Sequence, residues 1–228
     1  MPAKRTVSRA EPPTIIVLAG VNGAGKSSIA GASIRAEGAN YFNPDEAARL
    51  ALQRNPELNQ SQANSLAWNT GKRLLENAIC AGRDFYFETT LGGNSITALL
   101  IEAAGQGFAV NVWYAGLASV ELHLQRVARR VRKGGHDIPV DDIRRRWAGS
   151  HLNLIRLLPY LTKLRVYDNS HEADPATGAE PAPVLVLDYE KGSIVGPPDL
   201  GETPGWAKPI VAAAIKISRD RATPGADA

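Results

Sequence analysis

The stretch Gly20-Val21-Asn22-Gly23-Ala24-Gly25-Lys26-Ser27 constrains this chain more than any other feature. It has the spacing G-x-x-x-x-G-K-[ST], follows the apolar run 14–19 and opens a helical pattern, which is the context the motif requires. The glycines let the backbone turn its N–H groups inward around phosphates, and the helix N-terminus adds partial positive charge. Gly20, Asn22, Gly23, Ala24, Gly25, Lys26, Ser27 and Ser28 are therefore the expected nucleotide-binding residues. Lys26 is placed to reach the β- and γ-phosphates, and Ser27 to offer its hydroxyl to Mg²⁺. The loop names a nucleotide and a metal but not an acceptor, because ATPases, GTPases and small-molecule kinases share it. An N-K-x-D marker is absent, as is an apolar run ending in Asp-Glu, which argues against a GTPase and a motor.

Short β-rich runs at 14–19, 40–43, 84–88, 109–114 and 164–167 alternate with helical patterns at 26–37, 45–51, 61–81, 95–106, 119–133 and 140–158. That alternation predicts an α/β fold with a mainly parallel sheet flanked by helices, and ligands beyond the carboxyl ends of the strands. Paired strands at 184–189 and 193–195 around Lys191-Gly192, then a helix over 206–219, suggest a C-terminal hairpin and closing helix. With 228 residues, the expectation is one domain over 14–219, a loose N-terminal tail over 1–13 and a loose C-terminal tail over 220–228. No apolar run approaches membrane-spanning length and residues 1–13 lack a signal-like apolar region, so the expected compartment is the cytoplasm. The single cysteine, Cys80, excludes a disulfide framework and a Cys-rich zinc site.

Net charge is only +3, yet residues 121–165 hold 11 Lys/Arg against 4 Asp/Glu, an excess of 7. Such a field suits an anionic partner or a solvated helix face. Ser119 caps the first helix of this region, and Val120, Leu124, Val127 and Val131 form one stripe. Pro139 starts the second, with Ile143, Trp147 and Leu154 or Leu158 on its buried side. The joint Gly134-Gly135-His136-Asp137-Ile138 between two basic helices suggests a mobile lid over 119–158, with His136 either stabilising the loop or touching ligand. His123, His151 and His171 read as surface or packing residues.

On the acceptor side, Asn43-Pro44-Asp45-Glu46 comes after the second strand. Asp45 there is either a base accepting a hydroxyl proton or a helix N-cap. Glu88-Thr89-Thr90 leaves the third strand and suits a Mg²⁺ shell, a polyhydroxyl acceptor or simple strand-end turns. Asp168-Asn169-Ser170 ends the last parallel strand, where Asn169 contacts the adenine or the segment forms an Asx turn.

Taken together, GVNGAGKSS at 20–28, YFNPDEAA at 41–48, FETTLGG at 87–93, RVARRVRKGGHDIP at 126–139, IRRRW at 143–147 and VYDNS at 166–170 resemble the zeta-toxin family of P-loop kinases, in its zeta-like AAA-type branch. The resemblance spans residues 14–170. It implies a P-loop NTPase/kinase fold, ATP with Mg²⁺, and phosphorylation of a sugar hydroxyl on UDP-N-acetylglucosamine, restrained by an antitoxin at the ATP site. By position it makes Asp45 the catalytic base, with Lys26 and Ser27 on phosphates and metal. It puts Glu88 and Thr90 on the acceptor and Arg126 and Arg130 beside the transferring phosphate; Asn43 and His136 are further candidate acceptor contacts, and Glu88 a candidate metal ligand.

The chain departs from the toxin pattern on the acceptor side. E-G-T-L-R becomes Glu88-Thr89-Thr90-Leu91-Gly92, so Thr89 replaces a glycine and Gly92 an arginine. Lys72 and Arg73 stand where an acceptor-binding carboxylate is expected, with Glu76 one turn late, and the second lid arginine falls at His136, leaving Arg129, Arg130 or Arg132 to substitute. Three readings remain: a sugar-nucleotide kinase, a kinase for another small-molecule or nucleotide hydroxyl, and a nucleotide-binding regulatory module with little turnover. A nucleic-acid acceptor is disfavoured, because no aromatic stacking set accompanies the basic region.

Overall fold

The apolar run at 14–19 becomes the central strand, β1 (Thr14–Ala19), in which Ile15, Val17, Leu18 and Ala19 are buried. A strand without alternation is one covered on both faces, as in a parallel sheet between helices. The computed structural model describes residues 11–26, 29, 41–135, 137–171 and 182–222. Ser27, Ser28, His136, most of the helix expected at 26–37 and most of the loop at 171–183 lie outside them.

Strand β2 (Tyr41–Phe42) leads into α1 (Pro44–Arg54) and α2 (Gln60–Cys80). Next come β3 (Phe85–Thr89), α3 (Asn94–Gly105), β4 (Ala109–Gly116), α4 (Val120–Arg132), α5 (Val140–Leu157) and β5 (Lys163–Asp168). The hairpin β6 (Val184–Glu190) and β7 (Ser193–Gly196) precedes α6 (Lys208–Ala222). The sheet order is β2-β3-β1-β4-β5-β6-β7, parallel through β5 and antiparallel across β6 and β7. The chain crosses between the two sides of β1, so β1, β3 and β4 deliver their carboxyl ends to one edge, where open α/β sheets bind ligands.

Residues 13 and 220–222, assigned to the tails, are held by the fold. The Pro13 carbonyl accepts from Ala109 N at 2.9 Å, which fastens the start of β1 to β4. At the other end α6 runs to Ala222, because Arg221 donates to the carbonyls of Lys191 (2.7 Å) and Pro159 (3.4 Å). The same helix starts at Lys208 rather than 206, with Trp206 turned inward to donate to Asp168 Oδ1 at 3.3 Å. No helix among the described residues is long and apolar enough to cross a membrane.

The basic helices carry their own small core. Val21 of the phosphate loop packs with Val127 of α4, Ile143 of α5 and Ile138 between them. Ser119 caps α4 as expected, accepting from Leu122 N at 3.2 Å. The Gly-Gly joint closes α4, with Gly134 N donating to the Val131 carbonyl (2.9 Å) and Gly135 N to that of Arg130 (3.0 Å). These helices therefore rest on the nucleotide loop through apolar contact.

Candidate active site

The phosphate loop leaves β1 through Gly20, whose φ is 140° and whose N–H donates to the Thr89 carbonyl at 3.2 Å. Lys26 folds back over the loop, its Nζ 3.0 Å from the Gly20 carbonyl and 3.9 Å from Glu88 Oε2. Asn22, buried inside the loop, is held from two sides. Its carbonyl accepts from His123 Nδ1 of α4 at 2.9 Å, and its side-chain oxygen from Arg146 Nη1 of α5 at 2.9 Å.

His123 is thus a buried brace on the loop, more than the surface or packing residue its sequence position suggests. Burial pushes its imidazole down to about 4, against the pull of the Asn22 hydrogen bond and with help from the Lys26 charge. His151, set edge-on to Trp147 at 4.8 Å and stacked on Trp206 at 5.6 Å, is likewise pushed down to about 4 by burial. Both stay neutral in the fold and bind a proton more readily unfolded, so stability is complete above pH ~6.5 and falls as pH drops toward 4. For His123 alone the loss reaches roughly 2 kcal/mol by pH 5. Melting temperatures at pH 7.5 and 5 should differ less for His123→Gln than for the parent; an equal drop in both proteins removes His123 as the cause.

Around the loop opens a cavity of about 390 Å³, lined by Asn22, Asp45, Glu88, Thr90, Arg145 and Arg146 among others. Glu88 is fixed in its wall, its Oε1 accepting from the Tyr41 hydroxyl and, at 3.1 Å, from Asn43 Nδ2. Asn43 also accepts from Asp45 N (2.8 Å) and Glu46 N (3.2 Å), so Asn43 is the N-cap of α1. The cap alternative for Asp45 is thereby corrected: Pro44 and Asp45 are already inside the helix, and the Asp45 carboxylate points out toward Arg130 Nη1 at 3.6 Å. Thr90 lines the cavity, while Thr89 Oγ1 and Thr90 Oγ1 accept from Leu91 N and Gly92 N in strand-end turns.

Arg126 and Arg130, one turn apart, part company rather than point to one place. Arg126 passes Gly23 and donates to the His171 carbonyl at 3.0 Å, beyond β5, whereas Arg130 reaches Asp45 beyond β2. Asn169 donates to the Ala24 carbonyl at 2.9 Å and so supports the phosphate loop from the side. Asp168 Oδ1 accepts from Ser170 N at 3.2 Å, the Asx turn that the sequence allows. Lys72 lines the cavity, and Glu76 pairs with it at 2.8 Å instead of facing in.

Trp68 and Asn153 do not stand out in the sequence, and Arg145 and Arg146 appear there only within the IRRRW segment, with no role assigned. Asn153 donates to the carbonyls of Leu91 (2.7 Å) and Gly93 (3.2 Å), fixing the turn after β3. A signal exists, since Asp142, Arg146, Gly149 and Asn153 keep helical spacing on α5, as Asn64, Trp68 and Gly71 do on α2.

A chain of the AvrRxo1-ORF1:AvrRxo1-ORF2 complex, solved with sulphate ions and with ATP, superposes with a TM-score of 0.61 in both cases. Identity is 15% and 16%, over 89% and 94% of this chain and 63% and 66% of that one, so this chain spans under two thirds of its length. A structure of the PezAT chromosomal toxin–antitoxin system of Streptococcus pneumoniae matches at TM-score 0.50 and 16% identity, over 95% of this chain and 90% of that one. These likenesses show a shared α/β fold, a mostly parallel sheet flanked by helices. An uncharacterized protein of Haemophilus influenzae is 33% identical over 138 residues, 58% of this chain and 91% of that protein. The sequence model of the zeta toxin family matches residues 2–173, most of the chain and all of the phosphate loop, cavity and basic helices, and the chain belongs to that family.

Proposed function

We propose that the protein is an ATP-dependent kinase that moves the γ-phosphoryl group onto a hydroxyl of a sugar nucleotide, UDP-N-acetylglucosamine being the first acceptor to test. The observation that carries this reading is the cavity in which the phosphate-loop residue Asn22 meets Asp45, Glu88 and Arg146. The acceptor hydroxyl gives its proton to Asp45 as its oxygen bonds to the γ-phosphorus, while the bond from that phosphorus to the β–γ bridging oxygen breaks and ADP departs. Lys26 follows the phosphates, Arg126 and Arg130 bring positive charge to the two ends of the cleft, and Asn43, Glu88, Thr90 and His136 orient the acceptor.

Mg²⁺ fits the donor set. The carboxylate of Glu88, with Oε1 fixed by Tyr41 and Asn43, and the Ser27 hydroxyl would hold it directly or through water. The described residues contain no cluster of three or more His, Cys, Asp and Glu. That suits Mg²⁺, which takes one or two protein ligands and the rest from phosphates and water. When bound it neutralises charge on the β- and γ-phosphate oxygens.

The basic and aromatic lining, with Lys72, Arg145, Arg146 and the half-exposed Trp68, favours an anionic acceptor carrying a ring. The family, and the toxin–antitoxin neighbour from Streptococcus pneumoniae, support a toxin role with an antitoxin as partner. The test is mass spectrometry of UDP-N-acetylglucosamine incubated with the protein, ATP and Mg²⁺. A gain of one phosphoryl group on the sugar nucleotide is expected. An unmodified acceptor beside newly formed phosphoryl esters in a metabolite extract would move the activity to another hydroxyl, and ATP left intact in both would end the kinase reading.

A further inference from the structure

We propose that Arg146 is the terminal-phosphate anchor of the nucleotide site, a guanidinium from α5 that grips the γ-phosphate where it meets the acceptor. The inference rests on the kinase reading above and adds to it a residue outside the Arg126 and Arg130 pair.

The placement starts from the helix. Asn153 ties α5 to the turn after β3, and at Gly149 a side chain would collide with the Gly92 carbonyl, its Cβ only 2.6 Å away. Helix and turn are thus pressed together, and the backbone and first side-chain carbons of Arg146 lie on Gly92: a Cβ there would be 3.0 Å from Arg146 Cα and 2.8 Å from its Cγ. A side chain at position 92 would have to displace Arg146. With its stem confined against Gly92, the guanidinium projects across the cavity to the phosphate loop.

Its partners leave it charged and available. Nη1 donates to Asn22 Oδ1 at 2.9 Å and Nη2 to Asp142 Oδ2 at 3.3 Å, which engages two of the five N–H groups a guanidinium offers. Asp142 is shared, since its Oδ1 accepts from Arg145 at 2.6 Å, so one carboxylate faces two guanidinium groups and a net positive charge remains. Arg146 lines the same cavity as Asp45 and Glu88. Asn22 stands between Gly20 and Lys26 in the loop that cradles the β- and γ-phosphates, so a guanidinium bonded to Asn22 is beside the outermost phosphate. Arginine suits that place because its planar fork meets phosphate oxygens two at a time and never loses its charge.

The test compares affinities for ADP and for the β,γ-imido analogue of ATP, each with Mg²⁺, by calorimetric titration of the full chain. The parent should prefer the analogue. Arg146→Gln should weaken the analogue about tenfold or more, as expected for losing a hydrogen bond to a charged group, and leave ADP within about twofold. Arg146→Lys, which keeps the charge, should restore most of the preference. Parallel losses for both nucleotides would mean that Arg146 only props Asn22, and no loss for either would mean that it does not touch the phosphate; each overturns the proposal. If Arg146→Gln does not fold, Arg146→Lys decides, because a lysine that weakens both nucleotides alike is the outcome of a prop. A parent that binds neither nucleotide overturns the kinase reading itself, a failure visible before any variant is made.

Discussion

Asp45→Asn should lower phosphoryl transfer by roughly 10²–10⁴, the usual contribution of a positioned base, while nucleotide affinity and melting temperature stay near those of the parent. The structure separates these effects because the capping of α1 belongs to Asn43. What Asp45 adds to stability is its charge in the first helical turn and a solvent-facing pair with Arg130, together on the order of 1 kcal/mol or less. Asparagine keeps the shape and a hydrogen-bonding oxygen but is not basic enough to take the proton. Melting and single-turnover rate measured on one preparation decide the matter. A normal rate removes Asp45 from the chemistry, and a large fall in melting temperature would assign it a structural role instead.

Gly20→Ala should be strongly destabilising. At φ 140° an L side chain is strained, and the added Cβ would lie 2.4 Å from the Ala115 carbonyl oxygen in the neighbouring strand β4. That oxygen cannot retreat without disturbing the ladder in which β1 and β4 pair from Thr14↔Ala109 to Ala19↔Tyr114. A loss of about 3 kcal/mol is expected, or about 6–12 °C in melting temperature for a chain of this size. A melting temperature within a degree of the parent's would show that the loop moves aside freely.

The order of the strands on either side of β1 lay beyond the reach of periodicity, but their existence did not. The apolar runs at 14–19 and 109–114 are long and β-branched enough to fix strands, whereas Tyr41–Phe42 is a two-residue strand recognisable chiefly by the Asn43-Pro44-Asp45 helix start beside it. The phosphate-loop motif was legible because it is contiguous and is recognised by its spacing. Along the basic segment charge alone misled in part. Arg144 pairs with Glu121 on the surface at 3.2 Å, while Arg145 and Arg146 line the cleft and Arg130 reaches Asp45 at its edge. Arg146 and Asn153 act across more than 60 residues of chain, on Asn22 and on Leu91, and only the closeness of α5 to both loops reveals them. His123 escaped for the same reason, its partner Asn22 being 101 residues away.

The grip on Asn22 has a thermodynamic corollary. One buried amide residue is tied by its carbonyl to α4 and by its side chain to α5, so the polar hold of both basic helices on the loop converges on one residue, beside the apolar contact of Val21. Linkage between sites is reciprocal: if filling the loop changes the free energy of docking those helices, then docking changes nucleotide affinity by the same factor. A protein that binds only the outer faces of α4 and α5 and levers them away from Asn22 would therefore empty the nucleotide site without entering it. ATP at sufficient concentration would, by the same equality, expel that protein.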